Sequence, residues 1–381
     1  MSKIHFHSYD AFRFFAFFKV YLFHATCTTL VVASDGSALQ WIKEHLAYGG
    51  GIGVSFFFVL SGFLITYILS HEKINAGNIS LGKFFLRRAF RIWPLFFLMV
   101  IMALVIPPDF AQTIGFHMNG GGYDTDWRYS LTFTENYKML IEDGVPKTTP
   151  LSVFWSLCIE EHFYILWMFV FFLIPRKAIP YYLLTTIIVA PILRIFHDQI
   201  YATQHIVYQD LFTNMDYFAI SGLLGYFVAL NYRKVEEIIL RIPLGVKIFY
   251  VLLVIVALNY QKLFFGYDVF LLNYFKTTIY AVMFTLLLLC FLPMKGPLKI
   301  SENNILSKLG KISYGMYVYH IIWIHVVLKY CIHYNVAIDN LQSYCYYIFI
   351  TFAGTVITSW ISWKLFEKPL LNLREKLFPP S

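Results

Sequence analysis

"FWSLCIEEHFYILWMFVFFLI", residues 154–174, is long and apolar enough to cross a membrane, yet it contains two adjacent carboxylates, Glu160 and Glu161. Aromatic and aliphatic residues surround both acids, which excludes an ordinary surface helix of a soluble domain. Ionisable groups at membrane depth are costly and usually face a cavity or a partner. The stretch therefore predicts a transmembrane helix with a functional polar position.

The composition extends this prediction to the whole chain. Of its 381 residues, 59% are hydrophobic and only 14% are charged, whereas soluble domains carry about 25% charged residues. We therefore predict an all-α, polytopic integral membrane protein that forms a single domain over residues 1–381. The net charge of +8 is expected to mark cytoplasmic loops and not a nucleic-acid partner. The five scattered cysteines predict neither an obligatory disulfide nor a metal site.

Ten segments are predicted to span the membrane, because each offers the roughly 20 mostly apolar residues that a spanning helix needs. They are residues 11–30, 52–70, 92–110, 154–174, 178–196, 211–230, 246–262, 270–292, 313–331 and 344–363. The polar segment 111–153 is predicted to be an extracytoplasmic loop. With the N-terminus inside, most lysines and arginines fall on cytoplasmic segments, so both termini are predicted to be cytoplasmic.

Ionisable residues mark one face of the first predicted span. Arg13 and His24 lie eleven residues apart, close to three helical turns, so they share a face about 16 Å apart along the axis. Asp10 precedes Arg13 by three residues and is predicted to pair with it.

The fourth predicted span places a second polar position at the depth of His24. Glu160 shares its helix face with Ser156, Tyr164 and Trp167, and Asp216 lies equally near the outer end of the sixth span. A histidine and a carboxylate at common depth suit proton transfer, since the carboxylate counteracts the effect of burial on the imidazole. The alternative is three unrelated polar residues, each snorkelling or paired within its own helix.

Two further groups of residues carry weaker signals. Arg88 and Arg91 lie at i and i+3 on the predicted cytoplasmic side, where their guanidinium groups could bind phosphates. The alternative is that these positive charges only determine the orientation of the helix in the membrane and bind no ligand. Ser313, Tyr317 and His320 share one face of the ninth span, where His320 is equally well explained as a packing residue. Gly53, Ser61 and Gly62 favour close helix packing.

Six motifs in order resemble the membrane acyltransferase-3 family, which includes O-antigen and other polysaccharide O-acetylases. They are the Asp10–Arg13–His24 pattern, "GIGVSFFFVLSGFLIT" (51–66), "FFLRRAFRIWPLFF" (84–97), "FWSLCIEEHFY" (154–164), "LGKISYGMYVYH" (309–320) and "WKLFEKPL" (363–370). In the family pattern the first acid of the fourth motif is the more characteristic, which corresponds to Glu160. No single motif is decisive, but their common order is specific.

The resemblance implies transfer of an acyl group, most often acetyl, from cytoplasmic acyl-CoA to a saccharide hydroxyl across the bacterial inner membrane. Acyl-CoA is then the donor substrate, and no permanently bound cofactor is expected. The catalytic residues implied are His24, Glu160, Arg13 and Asp10, and the donor-binding residues are Arg88, Arg91 and Arg13. Ser156, Tyr164, Asp216, Tyr317 and His320 are the supporting polar residues. A fused extracytoplasmic hydrolase-like domain, which some members carry, is not expected.

Two rival functions stay open. A transporter or flippase of a lipid-linked glycan would line its pathway with the same polar residues and would not depend on acyl-CoA. An unrelated class of membrane O-acyltransferases also uses an intramembrane histidine, but the Arg13–His24 pattern argues against it.

Overall fold

The computed structural model describes residues 4–117, 121–200, 209–265 and 270–377. Across these ranges the chain forms helices joined by turns, together with isolated β-bridges and no β-sheet. The prediction of an all-α fold is therefore confirmed.

Ten long helices in the described ranges correspond one by one to the ten predicted segments. They are α1 His7–Thr26, α2 Gly51–Ala76, α3 Leu81–Val105, α4 Trp155–Leu173, α5 Ile179–Ile200, α6 Met215–Arg241, α7 Leu244–Asn259, α8 Phe270–Cys290, α9 Ser313–His333 and α10 Leu341–Ser362. Shorter helical segments connect them: Ala38–Trp41, Ile42–Leu46, Pro108–Thr113, Trp127–Leu131, Glu135–Glu142, Thr149–Val153, Arg176–Ala178, Phe212–Asn214, Gln261–Phe265, Ile305–Lys311, Trp363–Glu367 and Lys368–Leu377.

Six helical stretches of the described residues are long and apolar enough to cross a membrane. They are Ala38–Ala76, Leu81–Val105, Trp155–Leu173, Arg176–Phe196, Ser313–His333 and Leu341–Leu377. The pair Phe212–Arg241 and Leu244–Asn259, bent by 90°, adds a seventh if it forms one span. A multi-pass membrane protein is thus supported, but the count of ten is not confirmed, and the cytoplasmic position of both termini stays a prediction.

The boundaries of α3 differ from the predicted segment 92–110. The helix begins at Leu81, so Arg88 and Arg91 lie within it and not in a preceding loop. Arginine is a good helix former, and its long side chain can keep the guanidinium near the membrane surface. The helix ends at Val105 because Pro107 and Pro108 follow and cannot continue its hydrogen bonding.

A break inside α6 matches the predicted end of the sixth span at residue 230. Asn231 has non-helical dihedral angles (φ −157°, ψ 84°), and its side-chain oxygen accepts a hydrogen bond from the backbone N–H of Lys234 at 3.1 Å. Asparagine therefore caps a new helical segment. The polar residues after the break form a separate helix of their own.

The chain divides into two compact units. The first comprises Met1–Ala16, Gly51–Leu81 and His162–Lys311. Within it, α2 and α6 approach closely at glycine: a methyl group at Gly62 would lie 2.6 Å from the backbone of Phe218. The predicted role of Gly62 in close packing is confirmed. Lys73 donates hydrogen bonds to the backbone carbonyls of Phe171 and Ile174 at the end of α4, where cations are favoured.

The second unit comprises Phe17–Gly50, Gly82–Glu161 and Ile312–Ser381. Within it, α9 and α10 pack through Gly354, where a methyl group would lie 2.6 Å from Cε3 of Trp323. The indole of Trp323 donates a 2.9 Å hydrogen bond to Thr358. The hydroxyl of Tyr21 lies 2.6 Å from that of Thr351, so α1 is tied to α10 by a polar contact.

The predicted loop 111–153 belongs to this second unit and is well structured in its described part. Its buried carboxylate, Glu135, accepts hydrogen bonds from the hydroxyls of Tyr123 and Ser130, both at 2.7 Å. Lys147 lies 2.9 Å from Asp124, and this contact holds the pKa of the Asp124 carboxyl below its usual range.

Candidate active site

His24 of α1 has another histidine as its neighbour. Its Nδ1 lies 2.8 Å from Nε2 of His320 on α9, and both residues belong to the second unit. The ring centroids are 5.1 Å apart, and the ring planes are within 11° of parallel. His24 is half-buried, whereas His320 is fully buried.

The hydrogen bonds of His320 determine which nitrogen carries the proton in each ring. Nδ1 of His320 lies 2.6 Å from the carbonyl oxygen of Tyr317, and a carbonyl only accepts, so Nδ1 carries the hydrogen. In the neutral ring Nε2 is then an acceptor, and Nδ1–H of His24 donates to it. The lone pair of His24 is therefore on Nε2, so this nitrogen is the one able to accept a proton.

Two more of the predicted supporting residues, Ser156 and Tyr317, lie near His320, together with the aromatic ring of Phe17. The ring of Phe17 meets that of His320 edge-on, with centroids 5.7 Å apart. The hydroxyl of Tyr317 lies 2.7 Å from that of Ser156 and donates to the carbonyl of Val153 at 3.0 Å. One wall of this site is therefore apolar, and the other connects α9 to the start of α4 through hydroxyl groups.

Glu160 lies one turn beyond Ser156 on α4 and is half-buried. Its carboxylate interacts electrostatically with the hydroxyl of Tyr317. The residue that fixes the tautomer of His24 is His320. The catalytic role of Glu160 stays a prediction.

Glu161, the second acid of the opening stretch, has a different environment. It is buried, and its Oε2 accepts a 3.0 Å hydrogen bond from the indole of Trp93 on α3. Its Oε1 is also buried and has no hydrogen-bond partner in the described part of the chain. Trp93 was not singled out from the sequence, because nothing in the spacing of α3 and α4 indicates that they meet there.

Arg88 and Arg91 are half-buried on α3. Arg88 interacts electrostatically with Glu161, and Arg91 interacts with Glu367, a buried acid that accepts a 3.0 Å hydrogen bond from Ser362. Glu367 lies in the "WKLFEKPL" motif, but sequence reasoning assigned it no role. Each arginine of the predicted donor site therefore has a buried carboxylate nearby.

The remaining predicted residues belong to the first unit. Arg13 donates a 2.5 Å hydrogen bond to Asp10, which confirms the predicted i, i+3 pair. Tyr164 is buried beside Phe163. Asp216 is fully buried and forms an ion pair with Arg194 at 2.8 Å. Asp216 thus has a structural partner that the sequence did not reveal.

Comparison with known proteins places the chain among acyltransferases. A family model described as an acyltransferase domain matches residues 6–363. A Staphylococcus aureus protein named as an O-acetyltransferase is 26% identical over 376 residues, which are 91% of this chain and 58% of that protein. A peptidoglycan O-acetyltransferase of Listeria monocytogenes is 34% identical over 135 residues, 33% of this chain and 21% of that protein.

A Bacillus subtilis protein named as a peptidoglycan O-acetyltransferase is 36% identical over 135 residues, 34% of this chain and 21% of that protein. The chain therefore spans less than two thirds of the length of these relatives. No solved structure matches the chain.

Proposed function

Because the chain belongs to the acyltransferase family whose domain model matches residues 6–363, we propose that it is a membrane O-acyltransferase. It moves an acyl group, acetyl in the first instance, from acyl-CoA to a hydroxyl of a cell-surface or lipid-linked saccharide. The observation that carries this proposal is the hydrogen-bonded pair of His24 and His320, which leaves the lone pair of His24 on Nε2.

In the proposed reaction His24 acts as the general base. The saccharide hydroxyl gives its proton to Nε2 of His24 while its oxygen attacks the carbonyl carbon of the thioester. The tetrahedral intermediate collapses with cleavage of the carbon–sulfur bond, and His24 returns the proton to the departing CoA thiolate. The ester and free CoA are the products. A placed base of this kind contributes about 10²–10⁴ to the rate.

His320 has a positioning role in this mechanism. When His24 takes the proton, its ring becomes a cation, and Nδ1–H of His24 still donates to Nε2 of His320. The Tyr317 carbonyl fixes the tautomer that makes this possible. An alternative course, in which His24 itself is transiently acylated, uses the same Nε2 lone pair.

Arg88 and Arg91 are proposed to bind the phosphates of acyl-CoA, because guanidinium groups suit phosphate oxygens. Their buried neighbours, Glu161 and Glu367, would orient them. Glu160 is proposed to stabilise the charge that develops near His24. Arg13 and Asp10 are proposed to support donor binding, with Asp10 holding the guanidinium in place.

The proposed setting is the bacterial cytoplasmic membrane, with ten spans and both termini in the cytoplasm. Cytoplasmic acyl-CoA would then reach the arginines from inside, and the acceptor would reach the histidine pair from outside. Peptidoglycan is the first acceptor to examine, because two relatives carry it in their names.

The proposal is tested with purified protein in liposomes, radiolabelled acetyl-CoA and peptidoglycan fragments. We expect the label to enter the saccharide as an alkali-labile ester. Mass spectrometry of glycan from a deletion strain and its parent should show a loss of one acyl group and so identify the acyl chain and acceptor. Unchanged glycan mass, together with movement of a lipid-linked glycan across the liposome without acyl-CoA, would instead support the flippase.

A further inference from the structure

The beginning of the chain brings two histidines and an aspartate together in the first unit. His5 precedes α1, and His7 and Asp10 lie in its first turn. Taking one ligand atom from each residue, all three atoms lie within 4.8 Å of one another. Nδ1 of His5 is 2.9 Å from Nδ1 of His7, and Nε2 of His5 is 3.7 Å from Oδ2 of Asp10.

The carboxylate of Asp10 is oriented toward this cluster. The residue is only 3% exposed, and its Oδ1 accepts the hydrogen bond from Arg13 at 2.5 Å. Its Oδ2 is buried and has no hydrogen-bond partner among the described residues. Native proteins rarely leave a buried carboxylate oxygen in this state, so its position beside His5 indicates a missing ligand.

A further carboxylate, from a distant part of the chain, lies beside His7. Oε2 of Glu302 lies 3.3 Å from Nδ1 of His7, and both residues belong to the first unit. A tetrahedral metal ion with bonds of about 2.0–2.1 Å holds its ligand atoms about 3.3 Å apart. The Nδ1–Nδ1 separation of 2.9 Å between His5 and His7 is close to that value, and one ligand atom from each of His5, His7 and Asp10 can be chosen so that all three lie within 4.8 Å of one another.

We propose that His5, His7 and Asp10 bind one divalent transition-metal ion of the zinc class, with a water molecule as the fourth ligand. Two imidazoles and one carboxylate form a nitrogen–oxygen donor set that suits such an ion, and zinc sites with three protein ligands keep their fourth position for water. Magnesium and calcium instead prefer oxygen ligands throughout. Arg13 would position Asp10 from behind, as hydrogen-bonded partners of metal ligands commonly do.

The cysteine spacing predicted no metal site, and the sequence analysis assigned no role to His5 or His7, although both are close to Asp10 in sequence. The site shares Asp10 with the proposed donor-binding residues, but metal binding is measured without acyl-CoA or acceptor, so its result does not depend on the proposed acyl transfer.

Cobalt(II) is the probe for the test, because it replaces zinc and gives a visible spectrum that reports its ligands. Full-length protein without a polyhistidine tag is purified in detergent, stripped with a chelator and titrated. We expect one equivalent of Co²⁺ to bind with a tetrahedral spectrum and to be displaced by Zn²⁺. His5→Ala and His7→Ala should each weaken binding at least tenfold.

His333→Ala is the matched control, because His333 is an exposed histidine of the other unit, and it should bind Co²⁺ as the parent does. Size-exclusion profiles and thermal unfolding curves of the histidine variants, matched to those of the parent, establish that they are folded. An equal Co²⁺ spectrum in the His5→Ala/His7→Ala double variant, or no Co²⁺ binding by the parent, would overturn the proposal.

Discussion

The imidazole of His24 lies nearly parallel to that of His320, and a 2.8 Å hydrogen bond joins Nδ1 of the first ring to Nε2 of the second. The two residues are almost three hundred positions apart in sequence. This pairing gives the proposed base a defined tautomer, because the Tyr317 carbonyl holds the proton of His320 on Nδ1. Replacing His320 therefore tests whether His24 needs a hydrogen-bond acceptor for its Nδ1–H group.

His320→Leu should lower kcat by about 5- to 150-fold, because a buried N–H donor of His24 without its acceptor costs about 1–3 kcal/mol. His320→Gln should recover much of this loss, since its side-chain oxygen can accept the same hydrogen bond. The KM for acyl-CoA should be unchanged in both variants. Equal loss in the two, or a loss confined to the KM, would contradict a positioning role.

Glu160 and Glu161 should differ in what their replacement changes. Glu160→Gln removes charge beside Tyr317 and should abolish most acyl transfer while leaving the protein folded. Glu161→Gln keeps an oxygen for the indole of Trp93 and should retain most activity. Steady-state assays at matched amounts of folded protein provide the comparison. The opposite ranking would assign the catalytic carboxylate to Glu161.

The double variant Arg88→Ala/Arg91→Ala should raise the KM for acyl-CoA tenfold or more, because a lost charge-assisted hydrogen bond costs about 1.5–3 kcal/mol. The control is Lys83→Ala, which removes an exposed positive charge from the same helix. Its donor kinetics should match those of the parent. If the arginine variant keeps its KM, these charges serve topology and not donor binding.

Asp216 should matter for stability more than for chemistry. Asp216→Ala leaves Arg194 buried without its counter-ion, which is expected to lower the free energy of unfolding by about 3–5 kcal/mol. Thermal unfolding in detergent measures the effect, with Asp35→Ala as an exposed control. If Asp216→Ala instead unfolds like the parent and loses only kcat, the aspartate belongs to the catalytic machinery.

Local features of the fold were predictable from the sequence. Apolar runs of about 20 residues located the long helices, and the predicted end of the sixth span at residue 230 lies next to the break at Asn231. The i, i+3 spacing of Asp10 and Arg13 predicted their ion pair. These features depend on residues close together in the chain, where helical periodicity determines the neighbours.

Contacts between helices were not predictable in the same way. Periodicity places His320 on a face with Tyr317, but it does not say which helix packs against that face. The pairing of His24 with His320 and of Glu161 with Trp93 therefore emerged only from the structure. Asp216 was grouped with His24 only because both lie at the same predicted depth in the membrane. Its buried partner Arg194 was missed, because an ion pair between two helices leaves no signal in the local sequence.

Acyl transfer by His24→Gln, measured in liposomes with radiolabelled acetyl-CoA and saccharide acceptor at matched protein levels, tests the proposed role of His24 most directly. The glutamine amide can still donate to His320 but cannot take a proton. If His24 is the general base, the rate should fall by a factor of about 10²–10⁴, and the exposed control His333→Gln should keep the parent rate. Acyl transfer by His24→Gln at close to the parent rate would contradict the central claim that Nε2 of His24 is the reacting nitrogen.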